Sequence, residues 1–206
     1  MFIISRILWV IGDSFKTHVM KINSLSYLFA LALIALTTYS CNDDEVVIPP
    51  EEEVITTATF TLTPQGGGDA VVMVWQDLDG EGANAPVITG GTLAANTTYT
   101  TSMTFLNETE TPAEDVTLEV AEEDLAHQVF YASTISGVTV TYTDTDSAGN
   151  PLGLTTELTT GAAGSGNITV TLRHEPTKDG AGVAEGDITN AGGETDVEAT
   201  YPVEVQ

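Results

Sequence analysis

One cysteine, Cys41, stands in a sequence of 206 residues, and that scarcity excludes an internal disulfide. Any folded domain must be held by its core alone, even in an oxidising compartment. Basic residues are nearly as scarce. Of five Lys and Arg, only Arg173 and Lys178 follow Cys41, whereas only Asp13 of the 30 Asp and Glu precedes it. The part from Cys41 onward therefore carries two cations against 29 carboxylates, a formal charge of −27. Such an imbalance repels phosphate backbones and leaves nothing from which to build Lys/Arg contacts, which excludes nucleic acid as a partner. Long apolar runs are missing too. The unbroken run Leu28 to Leu36 falls well short of the roughly 20 residues a helix needs to span hydrocarbon.

What is present near the N-terminus has the layout of an export signal. From Met20 the sequence reads MKINSLSYLFALALIALTTYSC, with Lys21 as a cationic start, the apolar run, and small polar residues before the cysteine. A second apolar stretch around Ile7 to Ile11 makes Met20 the favoured start, with a long two-part leader as the alternative. Thr37-Thr38-Tyr39-Ser40-Cys41 resembles a loose lipobox, the site where a diacylglycerol is attached to cysteine and the precursor is cut before it; Thr38 and Tyr39 depart from its tightest form. One acyl chain binds marginally, at about 0.8 kcal/mol per buried CH₂, whereas two or three on one residue anchor stably. Residues 1–40 thus read as a leader, 41–53 as a lipidated cysteine with an acidic, proline-containing tether, and 54–206 as a single domain. Asn42 to Glu53 repels itself and reaches up to roughly 40 Å when extended. Its acidic residues resemble the surface-export signal of Bacteroidota lipoproteins, which implies an outward-facing domain on the cell outer membrane.

Along the remaining chain, period-2 alternation dominates. Ala58, Phe60 and Leu62 share one face and Thr57, Thr59, Thr61 and Thr63 the other, before a turn at Pro64 to Asp69. Ala70 to Trp75 is apolar on both parities and reads as a strand covered on both faces. Tyr99 to Phe105, Val138 to Tyr142, Leu154 to Leu158, Ile168 to Leu172 and Val197 to Val205 add further strands, with weaker candidates at Val116 to Val120 and Val129 to Tyr131. Ala113 to Phe130 fits a helix as well as strands. Gly161 to Gly166 and Lys178 to Gly193 read as small-residue loops. Short Thr/Val strands between Gly/Asn/Asp turns predict an all-β fold, an antiparallel two-sheet β-sandwich of immunoglobulin-like or similar type.

The strings DLDG from Asp77, NAPVI from Asn84, LAANTTY from Leu93, EEDLAHQVFY from Glu122, GNPLGL from Gly149, LRHEP from Leu172 and GDITNAGGETD from Gly186 carry a resemblance. Over roughly Ile55 to Val205 the chain resembles small uncharacterised flavobacterial lipoproteins of the Bacteroidota, often named type 1 periplasmic binding fold superfamily proteins. That name implies two α/β lobes closing on a small ligand. The chain is too short for two such lobes and lacks alternating strand and helix patterns, so that fold is not expected here. The resemblance supplies no catalytic residues.

Catalytic groups are not apparent either. The sole cysteine is assigned to lipid, and His127 and His174 have no recognisable pairing with a serine motif, so a non-enzymatic role is expected. Asp77-Leu78-Asp79-Gly80 resembles the start of a calcium loop, but Ile88 stands where an EF-hand needs its bidentate glutamate; calcium at Asp77 and Asp79 competes with a plain Asp/Gly turn. Asp146-Ser147-Ala148 resembles a short O-glycosylation motif in which Ser147 carries the sugar. Trp75 reads as core rather than a sugar-stacking platform. His174 shares parity with Ile168, Val170 and Leu172, and His127 with Val129 and Tyr131, so each ends an apolar strand face. If they meet at one rim, they form a candidate site for a divalent metal ion, zinc or copper, completed by Glu122, Asp124 or Glu175. The alternative is two rim histidines satisfied by backbone hydrogen bonds.

These readings lead to a membrane-anchored accessory or ligand-capturing lipoprotein, with an outer-membrane receptor of an uptake system as partner; a structural or adhesive surface module is the alternative. The anchor is directly testable. Cys41→Ser should abolish labelling by a fatty-acid analogue and leave the precursor uncut, and equal labelling of variant and wild type would remove the lipoprotein reading.

Overall fold

The computed structural model describes residues 53–80 and 82–206; Cys41, the leader and the tether up to residue 52 lie outside the described residues. Alternation turns into strands where expected. Strands β1 (Thr57–Pro64) and β2 (Val71–Gln76) form a hairpin, its turn passing through Gly67 and Gly68 at positive φ, which side chains disfavour. Strand β3 (Val87–Thr89) edges β2, and β4 (Gly91–Leu93) leaves for the other sheet. The long β5 (Thr98–Asn107) lies on the other side of β1, with the short β6 (Glu114–Asp115) beside its end. Helix α1 (Val116–Glu122) leads to β7 (His127–Ser133), β8 (Thr139–Tyr142), β9 (Thr155–Thr159), β10 (Gly164–His174) and β11 (Glu194–Val205).

One sheet runs β3-β2-β1-β5-β9-β8 and the other β4-β11-β10-β7; every pair is antiparallel except β4 with β11. This is a β-sandwich. In the immunoglobulin order the first strand is an edge, whereas β1 here lies inside its sheet, so the architecture is of the similar rather than the immunoglobulin type.

Inward residues of both sheets make one core. Ala58, Phe60, Leu62, Met103 and Phe105 meet Ile168, Val170, Leu172, Val197, Ala199 and Tyr201, each large side chain contributing roughly 1.5–3 kcal/mol by leaving water. The Tyr201 hydroxyl donates to Ala58 O at 3.0 Å, a hydrogen bond from one sheet to the other. Trp75 is half-buried and packs on this core.

Three local expectations are corrected. Strand β2 is fully buried only at Met73, while on the opposite face Val72 is 48% exposed and Val74 half-buried. The ambiguous stretch Ala113 to Phe130 divides: the Asp115 side chain accepts the Thr117 N–H and caps α1, Val116 and Val120 bury one face of it, and the chain is extended again from His127. Gly161 to Gly166 is not wholly loop, because β10 begins at Gly164, opposite Val205.

Both cations of the described chain are spent on structure. The Arg173 guanidinium donates to the carbonyls of Gly192 and Gly193. The Lys178 ammonium, 8% exposed, donates to Asp146 Oδ2 at 2.8 Å and to Asp124 O at 2.6 Å. Burial pushes the Asp146 carboxyl up, but the Lys178 hydrogen bond and the N–H groups of Asn150 and Ala148 outweigh it and hold the carboxyl below its ordinary value. A carboxyl depressed in the folded state stabilises above its unfolded pKa, and that stability is lost as pH falls through the folded value. Lys178→Met leaves Asp146 buried with its charge uncompensated, so urea unfolding at pH 7 should show a loss of about 3–5 kcal/mol. A loss within measurement error would refute the structural role assigned to the pair.

Candidate metal centre

The two histidines converge because the strand ladder places them opposite each other. Strands β7 and β10 pair with His127 directly across from His174, so both side chains leave the same face. Their rings stack with centroids 4.8 Å apart and planes 20° from parallel. His127 is fully buried and the His174 side chain is 9% exposed.

Carboxylates reach the pair from three other places. Glu53, just before β1, brings Oε1 to 2.8 Å from His127 Nε2 and Oε2 to 3.7 Å from His174 Nδ1, and its side chain is only 4% exposed. Asp196 arrives through a β-bulge. Leu172 pairs with Val197 and Arg173 with Thr195, so Asp196 is the extra residue of β11, and the bulge re-aims a position that unbroken alternation would send outward. Its side chain is 1% exposed, with Oδ1 4.0 Å from His174 Nδ1. Glu123, the exposed residue that ends α1, supplies a third carboxylate: ligand atoms of Glu53, Glu123, His127 and His174 lie within 4.8 Å of one another.

Hydrogen-bond accounting at His127 is the informative detail. Its Nδ1 lies 3.2 Å from Glu123 O and its Nε2 2.8 Å from the Glu53 carboxylate. Both partners are acceptors, and a neutral imidazole has one N–H to give. As the Nε2–H tautomer the ring satisfies the carboxylate and leaves the Nδ1 lone pair facing a carbonyl; as the Nδ1–H tautomer it leaves the Nε2 lone pair facing a carboxylate, the arrangement that a metal ion at Nε2 would complete. An Nδ1–H held by a carbonyl is also how proteins orient an imidazole that binds metal through Nε2.

The carboxylates differ from those expected. Glu122, Asp124 and Glu175 are not in the cluster. Glu122 is exposed on α1; the Asp124 carboxylate instead accepts from Ser147 N and Oγ; Glu175, exposed and at φ 49°, follows His174 where the strand ends. Residues adjacent along a strand leave opposite faces, so proximity in sequence to a ligand is poor evidence. Among the described residues, Asp77 and Asp79 do not join a group of three or more ligating residues. Asp79 accepts from Asn84 N and Nδ2, and Asp77 accepts from Asp79 N, which is the hydrogen bonding of an Asp/Gly turn. Ser147 is exposed, its hydroxyl donated to Asp124. A groove of about 520 Å³ over β4, β10 and β11, lined by Gly90, Gly91, Gly166 and Pro202, has Glu204 as the one titratable lining residue.

No protein-family model and no curated protein matches the chain. Among solved structures it is similar to domains 4 and 5 of the S-layer protein SbsC, at 16% identity over 71% of this chain and 70% of that one, with a TM-score of 0.26.

The field of the cluster is felt one helical turn away. Desolvation, then the charges of Glu53, Glu123 and Glu114, push the Glu119 carboxyl above its ordinary value. A cation held by Glu53 and Glu123 would cancel part of that repulsion. The NMR titration midpoint of Glu119 should therefore move down when zinc is added, and an unchanged midpoint in the zinc-treated protein would show that no cation enters the cluster.

Proposed function

We propose that this domain captures a divalent transition-metal ion at His127, His174, Glu53 and Glu123, and that it does so as a non-catalytic, membrane-tethered module. The observation that carries the reading is charge balance in a buried space. Glu53 brings a buried carboxylate to two buried imidazoles, Glu123 adds a second carboxylate within reach of them, and the only Lys and Arg among the described residues, Lys178 and Arg173, are committed elsewhere. Two imidazolium charges would balance the two carboxylates only by placing two like charges in rings whose centroids are 4.8 Å apart. One divalent ion balances both carboxylates without placing like charges in contact.

The donor set points to the class of ion. Imidazole with carboxylate suits zinc, copper, nickel or iron, whereas magnesium and calcium prefer oxygen alone. Around a zinc ion with bonds of about 2.0–2.1 Å, tetrahedral ligand atoms stand roughly 3.3 Å apart. Binding would widen the 2.8 Å His127–Glu53 contact by roughly half an ångström and draw in the wider pairs. Cys41 as a lipid anchor, and acidic residues after it, support placing this capture at a membrane surface, with transfer to an outer-membrane receptor as its use.

Metal analysis and calorimetry on the purified chain test the reading. We expect one zinc ion per chain, an affinity reduced more than about 100-fold in His127→Ala/His174→Ala, and unchanged binding in Glu122→Gln, Glu175→Gln and Asp77→Asn/Asp79→Asn. Wild-type affinity in the double histidine variant would overturn it.

A further inference from the structure

Glu53 occupies a singular place among the ligands. The other three belong to a helix end and two paired strands, but Glu53 stands outside the sheet, where the acidic segment that follows Cys41 enters the domain. Among the described residues, the first backbone bond from this segment to the sheet is Thr56 N–H to Leu106 O, at 2.9 Å. Ile55 is half-buried against the core, while Val54 is 56% exposed. Glu53 is therefore held by its side chain more than by the fold around it. Its Oε1 faces His127 Nε2, and its buried Oε2, 3.7 Å from His174 Nδ1, has no hydrogen-bond partner among the described residues.

Resting on the metal reading above, we infer that the ion is also a latch: by bridging Glu53 to the histidine pair it pins the junction between tether and domain. With the ion present, both Glu53 oxygens and the His127 lone pair face a positive centre. Without it, the desolvated Glu53 carboxylate and the Glu123 carbonyl both face the His127 ring, whose neutral form has one N–H for the two of them, and nothing in the sheet ladder holds Glu53 in place. The carboxylate then gains by returning to water. Release frees Glu53 and Val54, which lengthens the tether by roughly 7 Å at about 3.3–3.6 Å per residue. Ion capture thus changes the chain at the point where a membrane-bound domain meets its support, and a partner touching that junction could distinguish loaded from empty protein.

Hydrogen-exchange mass spectrometry on the full chain, with zinc alone as the probe and bound zinc counted in the same samples, tests the latch. Zinc should slow exchange of the Val54 and Ile55 amides by about tenfold or more in wild type. Glu53→Gln, which keeps the shape of the side chain but removes its charge, should still bind zinc through His127, His174 and Glu123, more weakly, and should show no slowing at saturating zinc. Zinc bound by wild type without protection of Val54 and Ile55 would overturn the latch and leave the capture reading standing; no zinc bound at all would overturn both.

Discussion

Two carboxylates buried beside two stacked imidazoles form the constraint on which the rest of this molecule turns. A −27 surface is ordinary solvated chemistry, since each exposed carboxylate keeps its water and is screened beyond about 8 Å at physiological salt. Glu53 and Asp196 have given up that water. The charge of Glu53 must be met locally, and among the described residues Lys178 and Arg173 are both engaged elsewhere. The sandwich is a rigid frame for this arrangement: the β7–β10 ladder fixes the imidazole spacing, the bulge in β11 delivers Asp196, and the C-terminal end of α1 presents both a carbonyl and a side chain of Glu123.

The rest of the framework shows how the same chain handles charge when a cation is available. Asp146 is as deeply buried as Asp196, and there Lys178 meets it directly, with backbone N–H groups filling its remaining acceptor sites. That pair locks the loop after β8 to the segment after β10 and asks for no outside partner. The contrast between a carboxylate with a built-in lysine and Glu53, whose ion-pair partners among the described residues are imidazoles, is what separates a structural ion pair from a candidate binding centre.

Much of this was legible from residue order. Period-2 alternation located the longer strands, such as β1, β5, β10 and β11, because each has one face against the core, whereas the short β3, β4 and β6 carry no such pattern; the same parity argument placed His127 and His174 at the ends of apolar faces that do meet. The remaining ligands were hidden by features that break periodicity. Asp196 occupies an outward parity between Thr195 and Val197 until the bulge turns it. Glu53 is one letter in a run of three glutamates and looks like tether. Glu123 rather than Glu122 is chosen by where α1 stops, and helix ends are poorly marked when several acidic residues adjoin. Strand β2 misled for another reason: apolar residues on both parities suggest cover on both faces, but Val72 remains exposed near the sheet edge.

The account stands or falls on whether a metal ion joins these side chains. X-ray absorption at the zinc edge of the loaded full-length protein tests that most directly. A first shell of only nitrogen and oxygen at about 2.0–2.1 Å, with the outer-shell scattering of two imidazole rings, is the result the account predicts. A hydrated ion without imidazole scattering, or a shell containing sulfur, would contradict it.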